Sequence, residues 1–315
     1  MKLNNEELKK IYFGAYEFKE TDGWLASFQY SKPQVEYFKN KEEFLYDRCI
    51  ATTAKTLEVI TSATKISFDY KITWKGSEDS FELYIDGLCH KIFYVKDIED
   101  EGTLVFEMPE GSKNVTIYLA ADATVLIKNF EIDADYDIPQ KKTKVLWLGD
   151  SITQGYGPLR SSCTYVSIAN RVLDYDIVNQ GIGGYVYDKL SLMKMPGYDP
   201  DKLIVALGTN QYGSETMTDV EEYYERLFSI YGMNIPTLVI TPIWRGDHPE
   251  EYDIFLRYCE GIKSVCSRYE NIKIVDGLKL VPHLYEYYLD GLHPNCLGTQ
   301  LYAENLISEI DLLGF

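Results

Sequence analysis

The hydrophobic rhythm of this chain changes once. Up to residue 132 the clearest apolar residues recur at every second position, whereas beyond residue 143 they come in unbroken runs separated by helically spaced segments. Two rhythms in that order call for an all-β part followed by an α/β part. In KISFDYKITW, Ile66, Phe68, Tyr70, Ile72 and Trp74 alternate with Ser67, Asp69, Lys71 and Thr73, which predicts a strand with one buried face. SFELYIDG repeats the pattern with Phe81, Leu83 and Ile85 and turns at Asp86-Gly87; NVTIYLA and TVLIKNFEI predict further short strands. Turn residues at Lys75-Gly76-Ser77, Glu101-Gly102 and Pro109-Glu110-Gly111 space these strands as in a β-sandwich or jelly roll. Residues 11–132 therefore read as β-structure, with helical spacing only in a short stretch near the start.

The polar, proline-bearing segment DADYDIPQKKT ends the first rhythm. The expected division is an N-terminal sandwich over 1–135, a linker over 136–143 and an α/β domain over 144–315. In the last, KVLWLG, DIVNQG, KLIVALG, PTLVIT and IKIVDG alternate with helical patterns. A run such as Leu203-Ile204-Val205-Ala206-Leu207 is apolar on both faces, as a central parallel strand must be. These patterns predict a three-layer α/β/α domain with about five parallel strands. A helix is expected around 219–231, with Thr218 as its cap and Glu221 closing a capping box.

Charge narrows the function. The 315-residue chain carries a net charge of −18, which opposes binding to nucleic acid, anionic membranes or polyanionic substrates. No apolar run is long enough to span a bilayer, and the start, MKLNNEELKK, lacks the apolar core of a signal peptide. Cys49, Cys89, Cys163, Cys259, Cys266 and Cys296 are scattered without a C-x-x-C pair, so they read as reduced thiols in a cytoplasmic protein and not as a zinc site. Oligomeric state is not encoded in any pattern that the sequence displays.

In an open parallel sheet, ligands bind beyond the carboxyl ends of the strands. The turns expected there hold Gly149-Asp150-Ser151, NQGIGG (179–184), Gly208-Thr209-Asn210 and DGLHP (290–294). Together they contain the parts of an acyl-transfer site. Ser151 needs a base and the base needs an orienting acid. His293 has Asp290 three residues before it, so both side chains can leave one turn on the same side. A developing oxyanion needs aimed donors, and the Ser151 amide, a glycine amide at 183 or 184 and the Asn210 side chain can supply them. Asp150 reads as a turn support that bonds backbone amides. Trp244 and Arg245, after the fourth strand, are candidates for shaping a substrate pocket, with aromatic packing under a loop as the equal alternative. His248 reads as part of a solvated turn.

These four turns resemble the consensus blocks of the GDSL esterase, or SGNH hydrolase, superfamily: GDSIT (149–153), NQGIGG, GTN (208–210) and DGLHP, in the family's order, over roughly residues 144–312. The resemblance implies a Ser151-His293-Asp290 triad and an oxyanion hole of the Ser151 amide, Gly184 and Asn210. It implies no metal and no cofactor. The sandwich adds a similarity to two-domain members with a jelly roll before the hydrolase domain, carbohydrate deacetylases among them. The expected activity is hydrolysis of a small-molecule ester, with a small acyl group such as acetyl on a sugar as the leading substrate. The alternatives are an acyltransferase or short-chain lipase on the same site, and a carbohydrate-binding protein with an inactive hydrolase domain. GIGG is not a dinucleotide fingerprint, because Val186 stands where its third glycine belongs. G-x-S-x-G is absent, so the serine is not the nucleophile elbow of an α/β-hydrolase.

Overall fold

The computed structural model describes residues 1–77, 79–213 and 216–315. Among these residues the N-terminal part forms two antiparallel sheets. One carries Tyr12–Phe13, Thr56–Thr61, Lys113–Tyr118, Ser80–Ile85 and Leu88–Tyr94 in that order. The other carries Glu17–Thr21, Trp24–Phe28, Ala123–Ile132, Lys65–Lys75 and Glu101–Glu107. The alternating residues face one another across the gap. Ile66, Phe68, Tyr70 and Ile72 from one sheet pack in a single core with Leu57, Val59, Leu83, Val115 and Ile117 from the other. That pairing is why the period-two pattern is so regular here: each sheet has one dry face.

Five parallel strands follow, in the order Asp176–Gly181, Lys144–Gly149, Lys202–Ala206, Thr237–Ile240 and Ile272–Val275. Their side chains split between two cores by parity. Leu146, Leu148, Val178, Leu203, Val205 and Val239 join one face, where helices Thr218–Tyr231 and Tyr252–Cys266 lie. Val145, Trp147, Ile177, Ile204, Leu238 and Ile240 join the other, against helices Tyr165–Leu173 and Cys296–Leu313. Burial on both faces explains the unbroken apolar runs, and each fully buried aliphatic side chain contributes about 1.5–3 kcal/mol. Among the described residues no helix is long and apolar enough to cross a membrane.

Three expectations need correction. The stretch read as β-structure contains two helices, Lys32–Lys41 and Glu43–Cys49. The first is polar on most of its surface, so its apolar period is faint; only Gln34 and Phe38 are buried. Its start was nonetheless marked, since Ser31 N–H and Oγ–H both donate to Gln34 Oε1, and Pro33 lies in the first turn. Phe38, Leu45 and Cys49 pack in the core of the parallel-sheet part and not in the sandwich. Second, helix Thr218–Tyr231 is preceded by Met217, with no side-chain cap. Thr218 is already its first helical residue, so its hydroxyl is past the capping position, and Glu221 instead pairs with Arg268 at 2.7 Å. Third, the polar connection is partly a strand: Tyr136 and Asp137 pair with Thr61 and Ile60 of the sandwich. Lys141 is pinned to Glu58 at 2.8 Å.

Candidate active site

Strand Lys144–Gly149 ends in a short helix, Ser151–Gln154, whose cap is Asp150. Asp150 Oδ1 accepts from the Ile152 amide at 3.0 Å, so the carboxyl braces the turn. Burial pushes its pKa up to about 7, against backbone hydrogen bonds and the charge of Arg245, which favour the ionised form. Ser151 is the first helical residue, where a backbone N–H has no acceptor within the helix.

The Ser151 hydroxyl lies 2.8 Å from His293 Nε2, and His293 Nδ1 lies 2.8 Å from Asp290 Oδ2. The second oxygen of Asp290 accepts from the amides of His293 (2.8 Å) and Leu292 (3.0 Å). Burial raises the Asp290 pKa, but these hydrogen bonds and the adjacent imidazole outweigh it and hold the carboxyl below its ordinary value. An ionised carboxylate only accepts, so the proton of the neutral ring belongs on Nδ1. Nε2 is then left with its lone pair toward Ser151. Tyr156 sets its ring edge-on to the imidazole, with centroids 4.6 Å apart.

The loops beyond the sheet are tied in a closed circuit of hydrogen bonds. The Gly183 amide donates to Gln154 Oε1 at 2.6 Å, linking the second loop to the first. Asn210 Nδ2 donates to the Tyr185 carbonyl at 2.9 Å, linking the third to the second. Arg245 Nη1 donates to the Thr209 carbonyl at 2.6 Å, and the Gly246 amide donates to the Gly291 carbonyl at 2.7 Å. The Ser151–His293 bond returns to the start. Thus the four turns singled out in sequence meet on one rim, with a fifth, 244–247, spliced between the third and the last.

Of the two glycine amides, that of Gly183 is taken by Gln154. No described acceptor takes the Gly184 amide, and its φ of +73° is a conformation that glycine adopts without strain. Asn210 spends one of its two side-chain N–H groups on Tyr185 and keeps the other.

Trp244 and Arg245 fall where the sequence placed them, after the fourth strand, but they are committed to the protein. Arg245 is 7% exposed and also forms a two-point ion pair with Asp247, at 2.8 and 2.5 Å. Trp244 stacks on His283 and meets the edges of Tyr285 and Tyr288. These contacts tie both side chains into the rim. His248 is half exposed and near the carboxylates of Asp247 and Glu250, as a solvated turn requires. Sequence reasoning missed Gln154 and Tyr156, although both lie inside GDSITQGYG; a glutamine or tyrosine there has no signature apart from its neighbours.

Residues 147–301 match the family described as GDSL-like Lipase/Acylhydrolase. No curated protein sequence matches the chain. Among solved structures, the salicylyl-acyltransferase SsfX3 from a tetracycline biosynthetic pathway superposes with a TM-score of 0.78 at 18% identity, over 96% of this chain and 94% of its own. A structure assigned to the GDSL-like lipases, from Bacteroides ovatus, gives 0.76 at 16% identity, over 99% and 97%. A family two carbohydrate esterase from Clostridium thermocellum, solved with cellohexaose, gives 0.66 at 19% identity, over 84% and 94%. The two-part architecture is therefore shared with proteins of distant sequence.

Proposed function

With its C-terminal half in the GDSL-like lipase/acylhydrolase family, this chain is an ester hydrolase, and we propose that it works as a serine esterase through Ser151, His293 and Asp290. The observation that carries the reading is the unbroken line from the Ser151 hydroxyl through the imidazole to the Asp290 carboxylate, with both contacts at 2.8 Å. Neutral His293 accepts the serine proton at Nε2 as Oγ attacks the ester carbonyl. The Ser151 amide, the Gly184 amide and the free N–H of Asn210 receive the oxyanion, charge that is absent from the ground-state ester. His293 then gives its proton to the departing alcohol. Water, deprotonated by the same nitrogen, attacks the acyl-enzyme, and the serine leaves with its proton restored. Asp290 keeps Nδ1 protonated and stabilises the imidazolium formed in each half-reaction.

The substrate we propose is a small O-acyl ester of a sugar, acetyl first. The fold likeness to a carbohydrate esterase solved with cellohexaose supports the alcohol. The charge of −18 supports a neutral sugar over a polyanionic one. We place the enzyme in the cytoplasm, where its unpaired thiols stay reduced and where short imported sugars are its substrates. The fold likeness to the salicylyl-acyltransferase favours a second reading, in which an acceptor alcohol replaces water in the second step.

A panel of p-nitrophenyl esters from acetate to octanoate, run beside acetylated xylo- and manno-oligosaccharides, tests the proposal. Turnover falling with acyl length, together with acetate release from the sugars, is expected. Preference for the octanoate, or no release from any sugar, contradicts the substrate proposed. Product analysis with added alcohols separates hydrolysis from transfer.

A further inference from the structure

The loop that carries Gly184 is held from outside the parallel-sheet half. Gln154 follows Ser151 by three residues and is 2% exposed. Both ends of its amide are used. Oε1 accepts from the Gly183 amide at 2.6 Å, and Nε2 donates to Asp122 Oδ1 at 2.7 Å. Asp122 lies between two strands of the sandwich and is 4% exposed. It is fixed in turn: its amide donates to Asp79 Oδ2 at 2.8 Å, and its carbonyl accepts from the Gly76 amide at 2.8 Å. Ser77 hydrogen-bonds its carboxyl.

A primary amide flips easily in solution, because its two ends are nearly equal in shape. Here the acceptor Asp122 forces the NH2 group toward the sandwich, so the carbonyl must face Gly183. Flipping the amide would set NH2 against the Gly183 N–H and a carbonyl against the carboxyl oxygen, losing two buried hydrogen bonds. The other side of the loop is closed as well. A Cβ built on Gly183 would lie 2.9 Å from Cδ and Nε of Arg48, and one on Gly184 would lie 3.2 Å from Phe44. Both residues come from the helix Glu43–Cys49. The segment 183–184 is thus gripped between Gln154 and a helix contributed by the N-terminal part.

We infer that Asp122 of the sandwich is a positioning residue for ester hydrolysis: through Gln154 it fixes the Gly183-Gly184 peptide, and with it the direction of the Gly184 N–H toward the oxyanion. The inference rests on the oxyanion role proposed for Gly184. It assigns the sandwich a part in the chemistry, since one of the site's donors is aimed by a side chain that the parallel-sheet half does not contain. An oxyanion donor acts only in the transition state, so misaiming it lowers kcat and leaves ground-state binding alone.

Steady-state kinetics on p-nitrophenyl acetate test this in the full chain, with thermal melting as a control for folding. Gln154→Ala and Asp122→Ala are each expected to lower kcat about 10–100-fold, short of the loss of a whole donor, with KM within about twofold of the parent. Asp122→Asn keeps an oxygen to accept from Gln154 and is expected to restore most of kcat. If Gln154→Ala does not fold, Gln154→Met keeps the volume without either hydrogen bond and is expected to show the same loss. A folded Gln154 variant with unchanged kcat overturns the inference. So does Asp122→Asn as slow as Asp122→Ala, or a loss carried in KM alone. Ser151→Ala is run alongside: if it retains the parent's activity, the serine esterase reading itself falls, whereas an inactive Ser151→Ala beside a fully active Gln154→Ala removes only the role of Asp122.

Discussion

The two sides of the site are assembled by different means. On the side of the proposed proton relay, the chain provides most of the geometry locally. Asp290 and His293 share one turn, and both oxygens of Asp290 are engaged by residues at most three positions away. Asp150 braces Ser151 from the adjacent position through Ile152. Long-range contacts then join the two turns: the Ser151–His293 bond, the edge-on Tyr156 and His293 rings, and Cys296 Sγ on the Pro158 carbonyl. On the proposed oxyanion side, local turns (Tyr185 N–H to the Ile182 carbonyl, Gln211 N–H to the Gly208 carbonyl) are locked by contacts from across the fold. Gly183 is held by Gln154, 29 residues away, Gln154 by Asp122, and Asn210 by the carbonyl of Tyr185, 25 residues away. A relay built within turns tolerates shifts between layers of the fold, whereas a donor set held across layers depends on how the sandwich and the parallel sheet are packed.

That contrast sets the order of expected effects. Ser151→Ala removes the proposed nucleophile and should lower kcat by about 10⁶, measured with p-nitrophenyl acetate; a triad acting as a unit loses nearly everything with one member. Asp290→Asn should cost on the order of 10⁴, because the amide no longer selects the Nδ1–H tautomer, and melting should barely change. Asn210→Ala removes one donor and should lower kcat about 10²–10³-fold with little change in KM. If Asn210→Ala proved as damaging as Ser151→Ala, the division between relay and donor set would be wrong.

A buried lysine is linked to the second turn through Gln180. Lys55 Nζ donates to the Ser27 carbonyl, Gln29 Oε1 and the Ala51 carbonyl, and the Gln29 carbonyl accepts from Gln180 of the second loop. Burial pushes the Lys55 pKa down to about 7, with Cys49 opposing the shift. Between that value and its ordinary 10.5, the unfolded chain binds the extra proton and the folded chain does not, so stability rises with pH across this window. Chemical denaturation of the parent between pH 7 and 9 should show this rise relative to Lys55→Met, whatever the absolute stability of the variant. A parallel pair of curves would remove Lys55 from the account. As the smallest effect, Glu221→Ala breaks only the exposed pair with Arg268 and should cost about 0.5 kcal/mol or less.

The same contrast explains what could be read before the structure. The strands that were legible showed it through the period that burial leaves, two in Ile66–Trp74 and none in Leu203–Leu207, whereas Trp24–Phe28 and Thr56–Thr61 were not singled out. The meeting of Asp290 and His293 was legible because they stand three apart. The helix Lys32–Lys41 is hidden by its polar surface, and Ser31, Pro33 and Gln34 are its only marks in the sequence. Asp122 could not be found in this way. Its partner lies 32 residues along the chain in another sheet system, and an aspartate after AA at a strand turn carries no mark of that contact. Arg245 was found at the rim, but nothing near it in sequence shows that the Thr209 carbonyl would take one of its donors.

The central claim is that Ser151 is a nucleophile activated by His293. Exposing the protein to a fluorophosphonate and mapping the adduct by peptide mass spectrometry tests it most directly. The account predicts one covalent adduct, on Ser151, formed with loss of esterase activity and abolished in His293→Ala. An adduct on another residue, or a preparation that hydrolyses esters while Ser151 stays unmodified, would contradict it.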